Sequence, residues 1–202
     1  MKKNFFFSAF IAVAMFATSC GPAKKATVAT TSLPTSVAPF GEVYSIPCEV
    51  YDTDTEFAAT GIYRGSSYQK GECQLNALEN AKQLVYAKFK HTYNGMISNY
   101  SNSIGNNRGN DIETKLERAG DQVVKAILND IQACCVKFSG VQADGNIECY
   151  VAIKVPKTVI ADRVSKTISD NLTQDEKDRI NFNEYNYRKE MEERMKNYRE
   201  EK

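Results

Sequence analysis

Six cysteines and one histidine carry whatever nucleophilic, redox or metal chemistry this 202-residue chain can perform. The cysteines are Cys20, Cys48, Cys73, Cys134, Cys135 and Cys149, with no CxxC among them, and the histidine is His91. Zinc sites draw four ligands from Cys, His and carboxylates at recognisable spacings, so a site here would have to be all-thiolate without one. No metal and no cofactor is expected. His91 lies a turn from Lys88 and beside Lys90, and neither an orienting acid nor a nucleophile is nominated beside it. It reads as a solvated helix histidine, the alternative being a thiol-dependent hydrolase that uses a cysteine with His91. Asp52-Thr53-Asp54-Thr55-Glu56 begins like a calcium loop, but Phe57 stands where the loop needs Gly and Tyr63 where it needs Glu. A turn with solvated carboxylates is the expectation. Gly105 to Asn110 lacks the Lys-Ser/Thr of a phosphate loop and follows no strand, so it reads as a connector.

The elements that must position these residues begin after an address. Lys2 and Lys3, the uncharged apolar run Phe5 to Ala17, and Ala17-Thr18-Ser19 before Cys20 have the layout of a secretory signal peptide over residues 1–19. The run is too short for a membrane span, which needs about 20 apolar residues. Small residues before a cysteine resemble the lipobox of bacterial lipoproteins, with Ala17 where Leu is usual and Ser19 where Gly or Ala is usual. The resemblance implies acylation of Cys20, which would make the body a domain held on the membrane by its N-terminal lipid. Residues 20–45 hold Pro22, Pro34 and Pro39 among many Thr and Ser, with no apolar period, and read as a flexible tether about 25 to 30 Å long on average. Gly21, followed by Lys24 and Lys25, matches neither retention nor surface-export signals of such lipoproteins. The expected address is the cell envelope, on the periplasmic leaflet of an outer membrane.

Residues 46–172 read as an α+β domain. Phe57 to Arg64 is a short strand candidate leading to Gly65-Ser66-Ser67. Ala77, Leu78, Ala81, Leu84, Val85, Phe89, Tyr93, Met96, Ile97 and Tyr100 follow the spacing of one helix face, which predicts a helix over 68–100 with Asn94-Gly95 as its weak point. Asn110 and Glu113 form a capping-box pattern ahead of Ile112, Leu116, Ala119, Val123, Ile127 and Ile131. Cys134, Val136 and Phe138, then Ile147, Cys149, Val151, Ile153 and Val155, alternate with more polar residues on either side of Asp144-Gly145. That predicts a hairpin with a two-residue turn, placing Cys149 opposite Gly140 and Cys134 opposite Val155. Phe138, Val151 and Ile153 are then expected to bury against Leu78, Ala81 and Val85. Pro156 suits the first turn of a third helix through Ile160, Val164 and Ile168. The fold class is a small, mostly antiparallel sheet, one strand plus a C-terminal hairpin, packed by two long helices.

Residues 173–202 carry 8 Lys and Arg and 9 Asp and Glu beside an apolar line of Tyr187, Met191, Met195 and Tyr198. They read as an extra charged amphipathic helix, and that line is the candidate partner-binding stripe, since Tyr and Met are enriched at interfaces. The competing expectation is that it docks on the chain's own sheet or helices.

A strand running into Gly61, Ala77-x-x-x-Ala81 on a long helix, a second helix, and a hairpin with Asp144-Gly145 before Glu148-Cys149-Tyr150-Val151-Ala152 resemble the Lpp-twenty lipoprotein family and the N-terminal domain of flagellar assembly protein T. The resemblance spans residues 46–168. It implies an envelope lipoprotein or assembly-accessory domain and offers no catalytic residues to carry over. Fold alone does not license a flagellar role.

In the predicted register Cys134 and Cys149 stand about 20 Å apart along the sheet, beyond disulfide reach. Cys149 therefore reads as a buried free thiol. Cys48, entering beside Pro47, is placed to clamp onto Cys134 or Cys135, with Cys48 and Cys135 the candidate pair, against all thiols remaining free. With 26 basic and 25 acidic residues, net charge +1 gives no pull toward nucleic acid. The expectation is a noncatalytic envelope lipoprotein whose partners are the membrane, through its lipid, and an envelope protein or further copies of itself.

Overall fold

The computed structural model describes residues 45–101 and 109–198. The signal peptide, Cys20 and all but the end of the tether lie outside the described residues, as does most of the connector after Tyr100. The elements are β1 (Glu56–Ser66), α1 (Lys70–Ser101), α2 (Gly109–Asp130), β2 (Cys135–Phe138), β3 (Asn146–Pro156), α3 (Lys157–Asn171), α4 (Gln174–Arg179) and α5 (Glu184–Asn197). No proline falls between Pro47 and Pro156, so α1 runs unbroken through Asn94-Gly95. The strands form an antiparallel sheet in the order β1-β3-β2, and the domain is α+β.

β3 is the central strand because it alone is apolar on both faces. Ile147, Cys149, Val151, Ile153 and Val155 are buried on one side, and Tyr150 and Ala152 are buried on the other. β1 pairs with its whole length, from Glu56 opposite Pro156 to Ser66 opposite Asn146, so β1 is longer than its apolar run suggests.

The hairpin departs from the expected register. Its loop is Ala143-Asp144-Gly145, with Gly145 N–H donating to the Gln142 carbonyl at 2.9 Å and Gln142 N–H to the Asn146 carbonyl at 2.8 Å. Gly145 takes φ of +79°, the left-handed position that closes a three-residue loop. Between the Gln142–Asn146 pair and the Ser139 N–H bond to Glu148, Gly140 and Val141 face Ile147 alone, which is a bulge. Loop and bulge each add one residue, so Phe138 stands opposite Cys149 in place of Gly140. A shift of two preserves the face of every side chain, which is why Val151 and Ile153 are buried as expected. Phe138 is not buried: it is 40% exposed. The helix that covers this face packs on β1 and β3 and leaves β2 outside its shadow.

α1 buries Cys73, Ala77, Ala81, Val85, Phe89, Tyr93 and Ile97, every fourth residue. Four residues turn an α-helix about 40° past a full revolution, so this stripe winds about 240° around the helix from end to end. The first turns face the sheet, where Cys73 and Ala77 join Ile147, Cys149 and Val151. The last turns face helices. Tyr93 lies against Gly120 of α2, where any Cβ would fall inside its ring, and donates its hydroxyl to the Leu116 carbonyl at 2.7 Å.

The C-terminal segment corrects the sequence reading. It is two helices, and the candidate partner stripe belongs to the core: Tyr187, Met191 and Met195 are 0%, 1% and 0% exposed. The Tyr187 ring sits 5.1 Å from Tyr100 and 5.2 Å from Phe182, and α5 packs on α3 and α1. Tyr198 is half-buried, edge-on to Phe57 at 5.6 Å. The 17 charges of residues 173–202 masked a narrow stripe that the domain needs to close over α1 and α3. The segment opens on a capping box that the sequence reading missed: the Thr173 hydroxyl accepts from Glu176 N–H and the Glu176 carboxylate accepts from Thr173 N–H.

Two expected outcomes follow from the packing. A Cβ at Gly61 would collide with the Ala77 carbonyl oxygen and the Ala81 amide nitrogen and stand 3.0 Å from Ala81 Cα, all helix backbone. Gly61→Ala should therefore cost roughly 3 kcal/mol or more, whereas Gly140→Ala, with nothing within 4 Å, should cost less than about 1 kcal/mol. Equal urea midpoints for the two variants would show that helix and strand do not touch there. Truncation after Leu172 should unfold the domain, because loss of a single buried Met or Tyr side chain already costs about 2 to 5 kcal/mol. A thermal midpoint unchanged by that truncation would return α5 to the surface.

Candidate functional site

Residues 45–55 form a strap across the sheet face that α1 does not cover. Cys135 is paired with Ala152 and so shares its face, and a disulfide joins it to Cys48, with Cα atoms 5.7 Å apart. Thr60, on the same face of β1, donates its hydroxyl to the Cys48 carbonyl at 2.7 Å. Of the two partners open to Cys48, Cys134 precedes the strand and directs its thiol to the Ala152 carbonyl, 3.3 Å away. The bridge spans 87 residues, a closure worth roughly 4 to 5 kcal/mol in the chain-entropy account of disulfides.

Farther along the strap, Asp52 is not a solvated turn carboxylate. One carboxylate oxygen accepts from Ala58 N–H at 2.7 Å and the other meets Lys88 Nζ at 3.0 Å, and both side chains are about nine-tenths buried. Lys88 also donates to the Ala58 carbonyl at 2.7 Å. Lys157, 2% exposed, caps the other end of the turn: Nζ donates to the Thr53 carbonyl at 2.7 Å and lies 4.7 Å from the Phe57 ring centroid. Burial pushes its pKa down from the usual lysine value. Asp52-Thr53-Asp54-Thr55-Glu56 is thus bracketed by two buried ammonium groups, an arrangement that repels a cation. Lys88 was detectable in the sequence as a charge on the apolar stripe between Val85 and Phe89; Lys157, just after Pro156, had no such signal.

Strap and helix enclose a groove of about 210 Å³ whose floor is β1 from Ala58 to Ile62, with Val50 and Tyr51 on one wall and Leu84 and Lys88 on the other. Lys88 is already paired with Asp52, and Glu49 stands at the exposed rim, so the groove offers chiefly apolar contact.

The other sequence candidates do not converge. His91 is exposed and meets the Tyr198 ring edge-on at 5.8 Å. Cys73 stands 18 residues away along the same helix, about 27 Å. The Cys73 thiol donates to the Tyr63 carbonyl at 3.3 Å, and Cys149 packs beside it, its pKa pushed up to about 11 first by burial and then by Cys73. Both are free and buried, while Cys134 is free and exposed. Among the described residues, no group of three or more His, Cys, Asp or Glu is placed to hold a metal ion, and no helix is long and apolar enough to cross a membrane. Tyr187, Met191 and Met195 offer no partner surface, being inside the core, and Cys20 lies outside the described residues.

These observations define an α+β domain closed by its own C-terminal helices and crossed by a disulfide-held strap. Comparison with protein-family models, curated proteins and solved structures found no match.

The strap's ion pair can be tested alone. Lys88→Met strands a buried carboxylate and should cost roughly 3 to 5 kcal/mol, and adding Asp52→Asn should recover part of that loss. Strictly additive losses in urea unfolding would show that the two groups do not interact.

Proposed function

We propose that this protein is a noncatalytic bacterial envelope lipoprotein, held by a lipid on Cys20 and acting through protein binding or assembly at the periplasmic face of the outer membrane. The observation that carries the reading is the sequence order of basic pair, 13-residue apolar run and small residues before Cys20, followed by a Pro, Thr and Ser tether. The resemblance of residues 46–168 to the Lpp-twenty lipoproteins supports it, as does the element order strand, helix, helix, hairpin, helix. A disulfide suits the oxidising compartment to which a signal peptide leads. Because Tyr187, Met191 and Met195 are inside, protein contacts must use other side chains. Tyr68 at 96% and Val141 at 65% exposure are candidates, on loops joined by the bond from Ser67 N–H to the Gly145 carbonyl.

Cys20→Ala tests the anchor. Without its acyl chains the protein should move from the membrane pellet to the soluble envelope fraction, since no helix among the described residues is long and apolar enough to cross a membrane. Unchanged partition in detergent-free fractionation would overturn the lipoprotein reading.

A further inference from the structure

Two residues that the reading above leaves unused, His91 and the mid-helix Gly95, line one open hollow between α1 and α5. It measures about 350 Å³ and is completed by Thr92 of α1 and by Arg194, Asn197 and Tyr198 at the end of α5. We infer that this hollow binds a phosphate group through Arg194, His91 and Asn197.

Three observations carry this. First, the lining is rich in hydrogen-bond donors and holds no carboxylate. His91 and Asn197 are exposed, and among the described residues neither has a hydrogen-bond partner; His91 meets only the edge of the Tyr198 ring, 5.8 Å away. Thr92 spends its hydroxyl proton on the Lys88 carbonyl at 3.1 Å and serves as wall. Second, Arg194 is fixed with one nitrogen to spare. Nε and Nη2 both reach Glu190 Oε1, at 3.0 and 2.9 Å, and Glu190 Oε2 accepts from the Tyr100 hydroxyl at 3.2 Å. Glu190 offsets part of the guanidinium charge, but it lies off the lining and holds the guanidinium plane, so Nη1 is presented with little side-chain freedom left to lose. Third, no packing contact requires Gly95. Glycine inside a helix is unfavourable relative to alanine, and a Cβ here would meet only Arg194 Nη1, at 3.8 Å. Gly61 and Gly120 make room for helix backbone and for a ring, whereas Gly95 keeps open space beside the one guanidinium nitrogen left over.

The donors select the class of ligand. They come from two helices and from three side chains, and a phosphate group offers oxygens in three directions, whereas the two oxygens of a carboxylate lie in one plane. The hollow exceeds what inorganic phosphate fills and leaves room for the organic part of a small phosphomonoester. Against binding stands the negative end of the α5 dipole, since that helix ends at Asn197. Affinity in the millimolar range is therefore expected.

The chain has a single histidine, so its imidazole proton resonances report on this hollow alone. The full chain is titrated with inorganic phosphate, glycerol phosphate and acetate while sodium chloride holds the ionic strength constant at fixed pH. Inorganic phosphate should shift the His91 resonances along a saturable curve, and acetate should need at least about fivefold higher concentration for half-saturation. Arg194→Gln should raise the half-saturating phosphate concentration at least about fivefold. Gly95→Ala should raise the thermal midpoint, because the methyl group has room, and at the same time weaken phosphate binding, because it takes the space beside Nη1. A merely structural glycine would change only the midpoint. Tighter binding of glycerol phosphate than of inorganic phosphate assigns the hollow to a phosphomonoester such as a lipid headgroup, and equal or weaker binding assigns it to free phosphate. The inference is overturned if the shift stays linear in phosphate, if acetate saturates at as low a concentration, or if Arg194→Gln or Gly95→Ala leaves the phosphate curve unchanged. None of these readouts depends on Cys20, so they stand apart from the fate of the lipoprotein reading.

Discussion

Everything in this domain is arranged around one contact in which helix backbone rests on strand backbone with no side chain between. Gly61 in β1 lies under Ala77 and Ala81 of α1, so close that a methyl group would overlap the Ala77 carbonyl. Two small residues four apart on the helix and one glycine on the strand are what allow it, and the proximity fixes where the helix crosses the sheet. Phe57 and Ala59 on one side of the crossing and Cys149 and Val151 on the other are packed by the same helix. β2, the strand farthest from Gly61, is left outside, and Phe138 is exposed as a direct result.

A helix anchored so tightly at one end cannot also lie flat on the sheet for 32 residues. The sheet spans 11 residues of β1, whereas α1 is about 48 Å long, so its second half needs another partner. Burial at every fourth residue meets this geometry, because the stripe leaves the sheet as it winds and reaches α2 and α5. Gly120 then repeats on the helix side what Gly61 does on the sheet side, a gap in α2 filled by the Tyr93 ring. The Tyr187 hydroxyl, 3.4 Å from that of Tyr93, ties α5 into the same junction, and burial raises the pKa of both phenols. The C-terminal helix is thus a response to the length of α1.

The sequence made the strands and the two long helices legible because each carries a period of its own, two for β3 and about four for α1. It was less informative wherever two elements met. The three-residue loop closed by Gly145 and the bulge at Gly140 and Val141 look, in sequence, like a two-residue Asp144-Gly145 turn with a longer strand. Only the parity of the shift rescued the assignment of faces. The stripe of Tyr187, Met191 and Met195 was visible, but nothing local tells an apolar line that meets a foreign protein from one that meets its own core. That choice is set by the unfilled end of α1, a tertiary fact. Asp52 was misread for the same reason: its carboxylate looks solvated until Lys88 is beside it.

The pairing of Lys88 with Asp52 also bears on how the sheet ends. In β1 the backbone groups of alternate residues point away from β3, and a row of such groups invites pairing with another chain. Here Ala58 gives its N–H to Asp52 and its carbonyl to Lys88, and the Ile62 carbonyl accepts from Asn80 Nδ2 at 2.8 Å. Between them, Thr60 binds the Cys48 carbonyl through its hydroxyl. Side chains from α1 and the strap thus stand where a fourth strand would, and the buried ion pair lies at Ala58, where both the N–H and the carbonyl are satisfied by side chains. An apolar pair of equal volume would fill that space but would leave the Ala58 N–H and carbonyl without partners, and this requirement explains why an ion pair is kept so deep beside the sheet edge.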